Sequence, residues 1–280
     1  MRSGRRLLIG AAALAALDIG RRLYRQSQLF APEREPVKSW DPADYGIREG
    51  VVEEHRIPTP DGETLHAWYC RAPNPKASGI FCHGNRANLT LSAHIIPHLL
   101  EAGLSILFFD YRGFGQSTGR PTVRGVLADG VTAARFHDTL RPPQLPSILY
   151  GFSLGGAIAA QVIRRHPFDA LILQSTFTSL ADIARVLHPR VPLHLMAGRL
   201  FDTLRVIRKL EVPLLVLHGS NDEVAPCAMG HTLHDACPAE KRIHRIEGGT
   251  HNDLYERDPE TLVRALSEFI ADLRDRVQRP

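Results

Sequence analysis

Residues 147–160 read SILYGFSLGGAIAA. A short apolar run, Ser147 to Tyr150, ends at a serine held between glycines. A row of small and apolar residues, Leu154 to Ala160, then follows at helical pitch. The pattern predicts a strand, a turn too tight for side chains, and a helix, with Ser153 at the turn.

The rest of the chain extends this alternation. GVVEEHRIPT (50–59) and ETLHAWYCRA (63–72) are strand-like runs joined by Pro60-Asp61-Gly62, and they predict a hairpin. SGIFC (78–82) reads as a buried strand, and SILFF (105–109), SILY (147–150), ALILQ (170–174), PLLVL (213–217) and RIHRI (242–246) read as further strands. Helices are predicted from about Leu89 to Ala102, over 125–140, after Ser153, and from an N-terminus at Asp258-Pro259-Glu260. The last helix has an apolar face of Leu262, Leu266, Phe269, Ile270, Leu273 and Val277. Strands alternating with helices predict an α/β fold with a mostly parallel sheet covered on both faces.

Parallel sheets carry their sites at the carboxyl ends of strands. There this chain has His83-Gly84-Asn85, Asp110-Tyr111-Arg112-Gly113, Gly151-Phe152-Ser153, His218-Gly219-Ser220-Asn221-Asp222 and Glu247-Gly248-Gly249-Thr250-His251. A serine, an aspartate and a histidine each follow a strand, in that order. A serine hydroxyl is a weak nucleophile at neutral pH, so His251 is the candidate base for Ser153, and Asp222 the candidate partner fixing its tautomer. Glu223 and Asp253 compete with Asp222 for that role. An oxyanion would need two fixed donors, and the backbone N–H groups of Leu154 and Asn85 are the candidates.

HGN, FFDYRGFGQSTG, GFSLGG, HGSNDEVAP and GGTHND, in this order, make the chain resemble the α/β-hydrolase superfamily from roughly Gly50 to Val277. It is most similar to small-lid hydrolases of the serine aminopeptidase/proline iminopeptidase-like group, several of which carry an N-terminal membrane anchor. The resemblance implies an acyl-enzyme mechanism, no cofactor and no metal. It also implies a small-molecule ester, thioester or lipid substrate, and a small lid between the strand after the elbow helix and the strand bearing the acid, here about 176–212. Relatives often have glycine after His-Gly-Asn, where this chain has Arg86-Ala87. Leu187, Leu193, Leu195, Met196 and Leu200 are candidates for an acyl pocket or for packing on the sheet. Transferase and aminopeptidase activities are the alternatives on the same fold, and a non-catalytic binding module is a third. An aminopeptidase would need an acidic group near the cleft to hold the amine.

Other features read as structural. Asp110 and Arg112 are expected to tie loops below the site, His83 to shape the oxyanion loop, and His218 to pack in the core. Gly113 and Gly115 resemble a phosphate loop, but the G-x-x-x-x-G-K-[ST] pattern is missing. The cysteines, Cys70, Cys82, Cys227 and Cys237, form no C-x-x-C pair, and free thiols are expected.

The 280 residues carry a formal charge of +4. Residues 1–38 alone hold +5, which leaves the remainder near neutral and argues against a nucleic-acid surface on the folded domain. MRSGRR and the eleven-residue apolar run LLIGAAALAAL, interrupted by Asp18, resemble a signal peptide or a short membrane anchor. The run is short of the roughly 20 apolar residues a spanning helix needs. Residues 1–38 are therefore expected to be a basic, anchor-like or signal-like segment, and 39–280 the catalytic domain, placing the protein at a membrane or outside the cell, with a cytoplasmic location as the alternative.

Overall fold

A computed structural model describes residues 29–190 and 200–277. The apolar run near the N-terminus and the lid residues Leu193, Leu195 and Met196 lie outside the described residues.

The strands are β1 (Ala31–Pro32), β2 (Val52–Pro58), β3 (Thr64–Cys70), β4 (Ala77–Cys82), β5 (Arg86–Ala87), β6 (Leu104–Phe109), β7 (Ser147–Phe152), β8 (Ala170–Gln174), β9 (Leu214–Gly219) and β10 (Lys241–Ile246). The helices are α1 (Ile96–Glu101), α2 (Val123–Leu140), α3 (Leu154–Val162), α4 (Leu180–Leu187), α5 (Thr203–Ile207), α6 (Cys227–Ala236), α7 (Leu254–Arg257) and α8 (Pro259–Val277). Eight strands form one sheet in the order β10-β9-β8-β7-β4-β6-β3-β2. Its β2–β3 and β3–β6 pairs are antiparallel and its other pairs parallel. This is the expected α/β-hydrolase architecture, entered through the expected hairpin.

Alternate residues of the central strands face opposite layers. Ile80, Leu107, Leu149 and Leu171 pack with α2 and α3. Phe81, Phe108, Tyr150 and Ile172 pack with α1 and α8, where Leu262, Leu266, Phe269, Ile270 and Leu273 are buried as the spacing predicts. With helices on both faces, every residue of β4, β6, β7, β8 and β9 is buried, which is why these strands read as continuous apolar runs.

Three local expectations change. The single helix expected over 89–102 is a 3₁₀ helix at Leu89–Ile95 followed by α1. Pro97 has no N–H to continue a helix, but it fits the first turn of a new one. Helix α6 lies outside the expected set, because Gly230 interrupts its pattern. That glycine is required by packing, since a Cβ there would lie 2.5 Å from His218 Nδ1.

The third change concerns the domain boundary. Phe30 is buried in the core and meets Phe114 edge to face, with ring centroids 6.3 Å apart. Strand β1 pairs with β5. Tyr45 is buried as well. The segment expected to lie outside the domain up to residue 38 therefore packs on it from Phe30 onward, because Phe30 finds an apolar site beside the Gly113–Gly119 loop.

All four cysteines are free. Burial pushes the Cys82 thiol up to about 12, which makes it a poor nucleophile. Among the described residues no helix is long and apolar enough to cross a membrane.

Candidate active site

Ser153 stands between the end of β7 and the start of α3 with φ 54° and ψ −121°. A non-glycine residue in that region stores about 1–3 kcal/mol of strain, which the surrounding packing must hold. The flanking glycines permit the turn. A Cβ on Gly151 would lie 2.5 Å from Gly155 O and from Gly156 Cα, and one on Gly155 would overlap the Cys82 carbonyl. Backbone bonds fix the elbow further: Ser153 N–H donates to Gln174 O at 2.9 Å, and Thr176 Oγ1 donates to Ser153 O at 2.7 Å.

His251, from the loop after β10, places Nε2 2.9 Å from Ser153 Oγ. Its Nδ1 lies 2.9 and 3.0 Å from the two carboxylate oxygens of Asp222. A carboxylate can only accept, so the ring proton sits on Nδ1 and Nε2 is left to accept from the serine. The ring packs beside Phe152, at 5.3 Å between centroids.

Asp222 is itself fixed by its loop, because Oδ1 accepts from the N–H groups of Val224 and Ala225 at 2.9 and 2.7 Å. Burial pushes its carboxyl pKa up. The hydrogen bonds from His218, His251 and Ala225 N–H outweigh that and hold it below the usual carboxylate range. The two rival acids are placed elsewhere. Glu223 is exposed. Asp253 accepts from Thr250 N–H at 2.6 Å and faces Arg257.

His218 does more than pack. Fully buried, it donates from Nε2 to Ala225 O at 2.7 Å and stands 3.3 Å from Asp222 Oδ2. It thus touches both the acid and the loop that carries it. Its position at a strand end signals burial, but nothing local signals this contact.

The loop after β4 approaches the elbow closely: a Cβ on Gly84 would lie 3.7 Å from Ser153 Cβ. Neither Leu154 N–H nor Asn85 N–H has a protein acceptor among the described residues, so both are free to meet a ligand oxygen. His83 Nδ1 donates to Gly84 O at 2.8 Å, across the same peptide unit that carries Asn85 N–H. Burial pushes the His83 ring pKa down, with Asp110 and the hydrogen bond to Gly84 O opposing.

Asp110 lies fully buried beneath this loop, accepting from Leu89 N–H at 2.6 Å and facing His66 Nδ1 at 3.3 Å. Arg112 joins Asp61 of the hairpin turn, at 2.7 Å, to Asp129 of α2, at 2.8 Å. Both residues tie loops, as their positions suggest.

A pocket of about 250 Å³ has Phe81, Ile95 and Phe152 among its buried lining and Gln174, Asn252 and Glu256 among its polar lining. Phe152 and Asn252 adjoin Ser153 and His251 in the chain. Of the lid candidates among the described residues, Leu187 is 46% exposed and Leu200 packs against the core. Among the described residues no group of three or more His, Cys, Asp or Glu side chains is placed to hold a metal.

The chain matches the family model described as serine aminopeptidase, S33, over residues 73–209 and 193–258. It is 30% identical over 274 residues to an uncharacterized protein of Mycobacterium tuberculosis, covering 95% of this chain and 94% of that one. It is 30% identical over 237 residues to the human alpha/beta hydrolase domain-containing protein 17B, covering 82% of this chain and 80% of the relative. Among solved structures it resembles the Pyrococcus furiosus esterase Pf2001, with a TM-score of 0.69 at 18% identity over 87% of this chain and 97% of that one. It also resembles Est1E of Butyrivibrio proteoclasticus, a structure with ferulic acid bound, with a TM-score of 0.63 at 20% identity over 78% and 98%. The chain is therefore a member of the serine aminopeptidase S33 family of α/β-hydrolases.

Proposed function

We propose that the protein is a serine acyl hydrolase that cleaves a small-molecule ester or thioester through Ser153, His251 and Asp222. The observation that carries this reading is the unbroken relay from Ser153 Oγ through both ring nitrogens of His251 to the doubly anchored Asp222 carboxylate.

In this mechanism Ser153 Oγ attacks the acyl carbon while its proton passes to His251 Nε2. Asp222 stabilises the imidazolium. The new C–O⁻ lies between Leu154 N–H and Asn85 N–H. Collapse breaks the bond to the leaving group, which takes the proton from His251. Water, deprotonated by the same nitrogen, then cleaves the acyl-enzyme and restores Ser153. No step requires a cofactor.

An aminopeptidase also fits the family's description. It needs an anionic group free to hold the substrate amine. Asp253 is occupied by Thr250 and Arg257, which leaves Glu256, on the lining of the same pocket, to serve. The test is a panel of p-nitrophenyl esters and acyl thioesters of increasing chain length beside aminoacyl p-nitroanilides. Turnover of the esters or thioesters with little on the anilides supports the acyl-hydrolase reading. The reverse preference replaces it with the peptidase.

A further inference from the structure

We infer that the segment Phe30–Glu35 is a strap that positions the second oxyanion donor. This rests on the hydrolase reading above and adds a part to it.

The loop His83–Asn88 is held along one side by this segment. Ala31 N–H donates to Asn85 O at 2.8 Å, and Glu33 N–H donates to Ala87 O at 3.0 Å. The buried Asn88 closes the seam, its Nδ2 donating to Glu33 O at 3.2 Å and to Glu35 O at 2.6 Å. The strap is fastened on its other side as well. Gly115 N–H donates to Glu33 O at 2.9 Å, and Arg34 donates to Gly115 O at 3.3 Å and to Ser117 O. Phe30 leans on Phe114, whose ring lies 5.1 Å from that of His83. Through His83 the contact reaches the Gly84 carbonyl and so the peptide bearing Asn85 N–H.

The loop needs this support because of one residue. Ala87 has φ +57°, in the left-handed region that glycine adopts freely and alanine resists. Left to itself, the loop would relax toward φ below zero and turn Asn85 away from Ser153. The bond from Glu33 N–H falls on Ala87 itself, and the bond from Ala31 falls two residues before it. The strap therefore opposes the relaxation where it would begin.

An oxyanion donor acts on the transition state more than on bound substrate. Loosening it should lower kcat and spare KM. The experiment compares full-length wild type with Ala31→Pro, which removes the N–H given to Asn85 and fixes φ at residue 31, and with Phe30→Ala and Phe30→Leu. Each is assayed well below its own melting temperature, with active sites counted by fluorophosphonate. The substrate is a p-nitrophenyl ester, and the inhibitors are a trifluoromethyl ketone and the product acid.

We expect Ala31→Pro to lose roughly 10–100-fold in kcat per active site, up to the cost of a donor displaced by about 1 Å and below the roughly 10²–10³-fold of one lost outright. Binding of the trifluoromethyl ketone, whose adduct carries the oxyanion, should weaken in parallel, while KM and inhibition by product acid stay within about twofold. Phe30→Ala should follow it in part, and Phe30→Leu should recover most of that loss. Adding Ala87→Gly to Ala31→Pro should regain about fivefold by removing the left-handed penalty.

Wild-type kcat in Ala31→Pro and Phe30→Ala overturns the strap. So does a loss that disappears when rates are taken per active site, or one that falls equally on both inhibitors, and so does a double variant no faster than Ala31→Pro. A wild type that neither reacts with the phosphonate nor turns over the ester overturns the hydrolase reading and the strap together.

Discussion

Replacing Asp222 by Asn separates the acid from its neighbours. The amide introduced by Asp222→Asn has two ways to sit. With its carbonyl in the place of Oδ1 it keeps the Val224 and Ala225 N–H bonds, at 2.9 and 2.7 Å. Its NH₂ then faces His251 Nδ1 and His218 Nε2, which stand 2.9 and 3.3 Å from Oδ2. The flipped amide would accept from both histidines but set its NH₂ against two backbone donors. Two short backbone bonds are each worth about 1 kcal/mol net, with a larger penalty for leaving the N–H groups buried and unmet. The first orientation wins. Nδ1 of His251 must then accept, its proton moves to Nε2, and Ser153 faces a donor instead of a base. The expected loss in kcat is about 10⁴-fold, or ~5.4 kcal/mol of transition-state stabilisation. Folding should survive, since the loop bonds are kept. Glu223→Gln, at an exposed position, should be near neutral. The assay is kcat on a p-nitrophenyl ester per folded protein, with thermal melting beside it. A larger loss for Glu223→Gln than for Asp222→Asn would assign the acid to Glu223 instead.

Other outcomes follow from the same geometry. His218→Leu removes a donor from Asp222 and from Ala225 O. Kcat should drop about 10–100-fold, as for a lost bond to a charged group, and an unchanged kcat would return His218 to packing alone. His137, buried with its Nε2 2.8 Å from Ser78 Oγ, has its pKa pushed down to about 3 by burial first and by Arg141 and His166 after it. Its folded pKa lies below the unfolded value of 6.5, so its contribution to stability is whole above pH 6.5 and is lost as pH falls toward 3. Denaturant titrations should show about 2 kcal/mol lost between pH 7 and 5, and His137→Gln should flatten that slope relative to wild type. Equal slopes would contradict the assignment. Removing residues 1–28 should leave melting and turnover nearly unchanged and move the protein from the membrane fraction to the soluble one. The full-length protein should be retained on the membrane more firmly at low salt than at high, since each arginine at an anionic surface contributes about 1 kcal/mol. Removing residues 1–35 should in addition lower the melting temperature, because Phe30 leaves the core. Full turnover and stability after the longer deletion would contradict the packing of the strap.

Much of this site was legible in the sequence because of how a parallel sheet is built. Ser153 and Asp222 follow strands that are buried throughout and read as apolar runs, while His251 follows the partly buried edge strand β10, and the candidate residues lie at the ends of these strands. Gly151 and Gly155 were legible for a steric reason, since each abuts backbone that leaves no room for a side chain. What the sequence concealed depends on distant contacts. Strand β1 is two residues long and is held by backbone bonds, which leave no periodicity. Phe30 is a single aromatic residue in a polar stretch, and its partner Phe114 is far along the chain. Helix α6 was hidden by Gly230, whose reason is His218, on another element. Ala87 looks like an ordinary departure from glycine until its φ of +57° is known.

The proposed role of Ser153 as the nucleophile of an acyl hydrolase is tested most directly by intact-mass analysis after treatment with an organophosphate. One covalent adduct is expected on the full-length protein, mapping to the peptide that carries Ser153, and none on Ser153→Ala. Equal labelling of both proteins, or a wild type that remains unlabelled while folded, would contradict it.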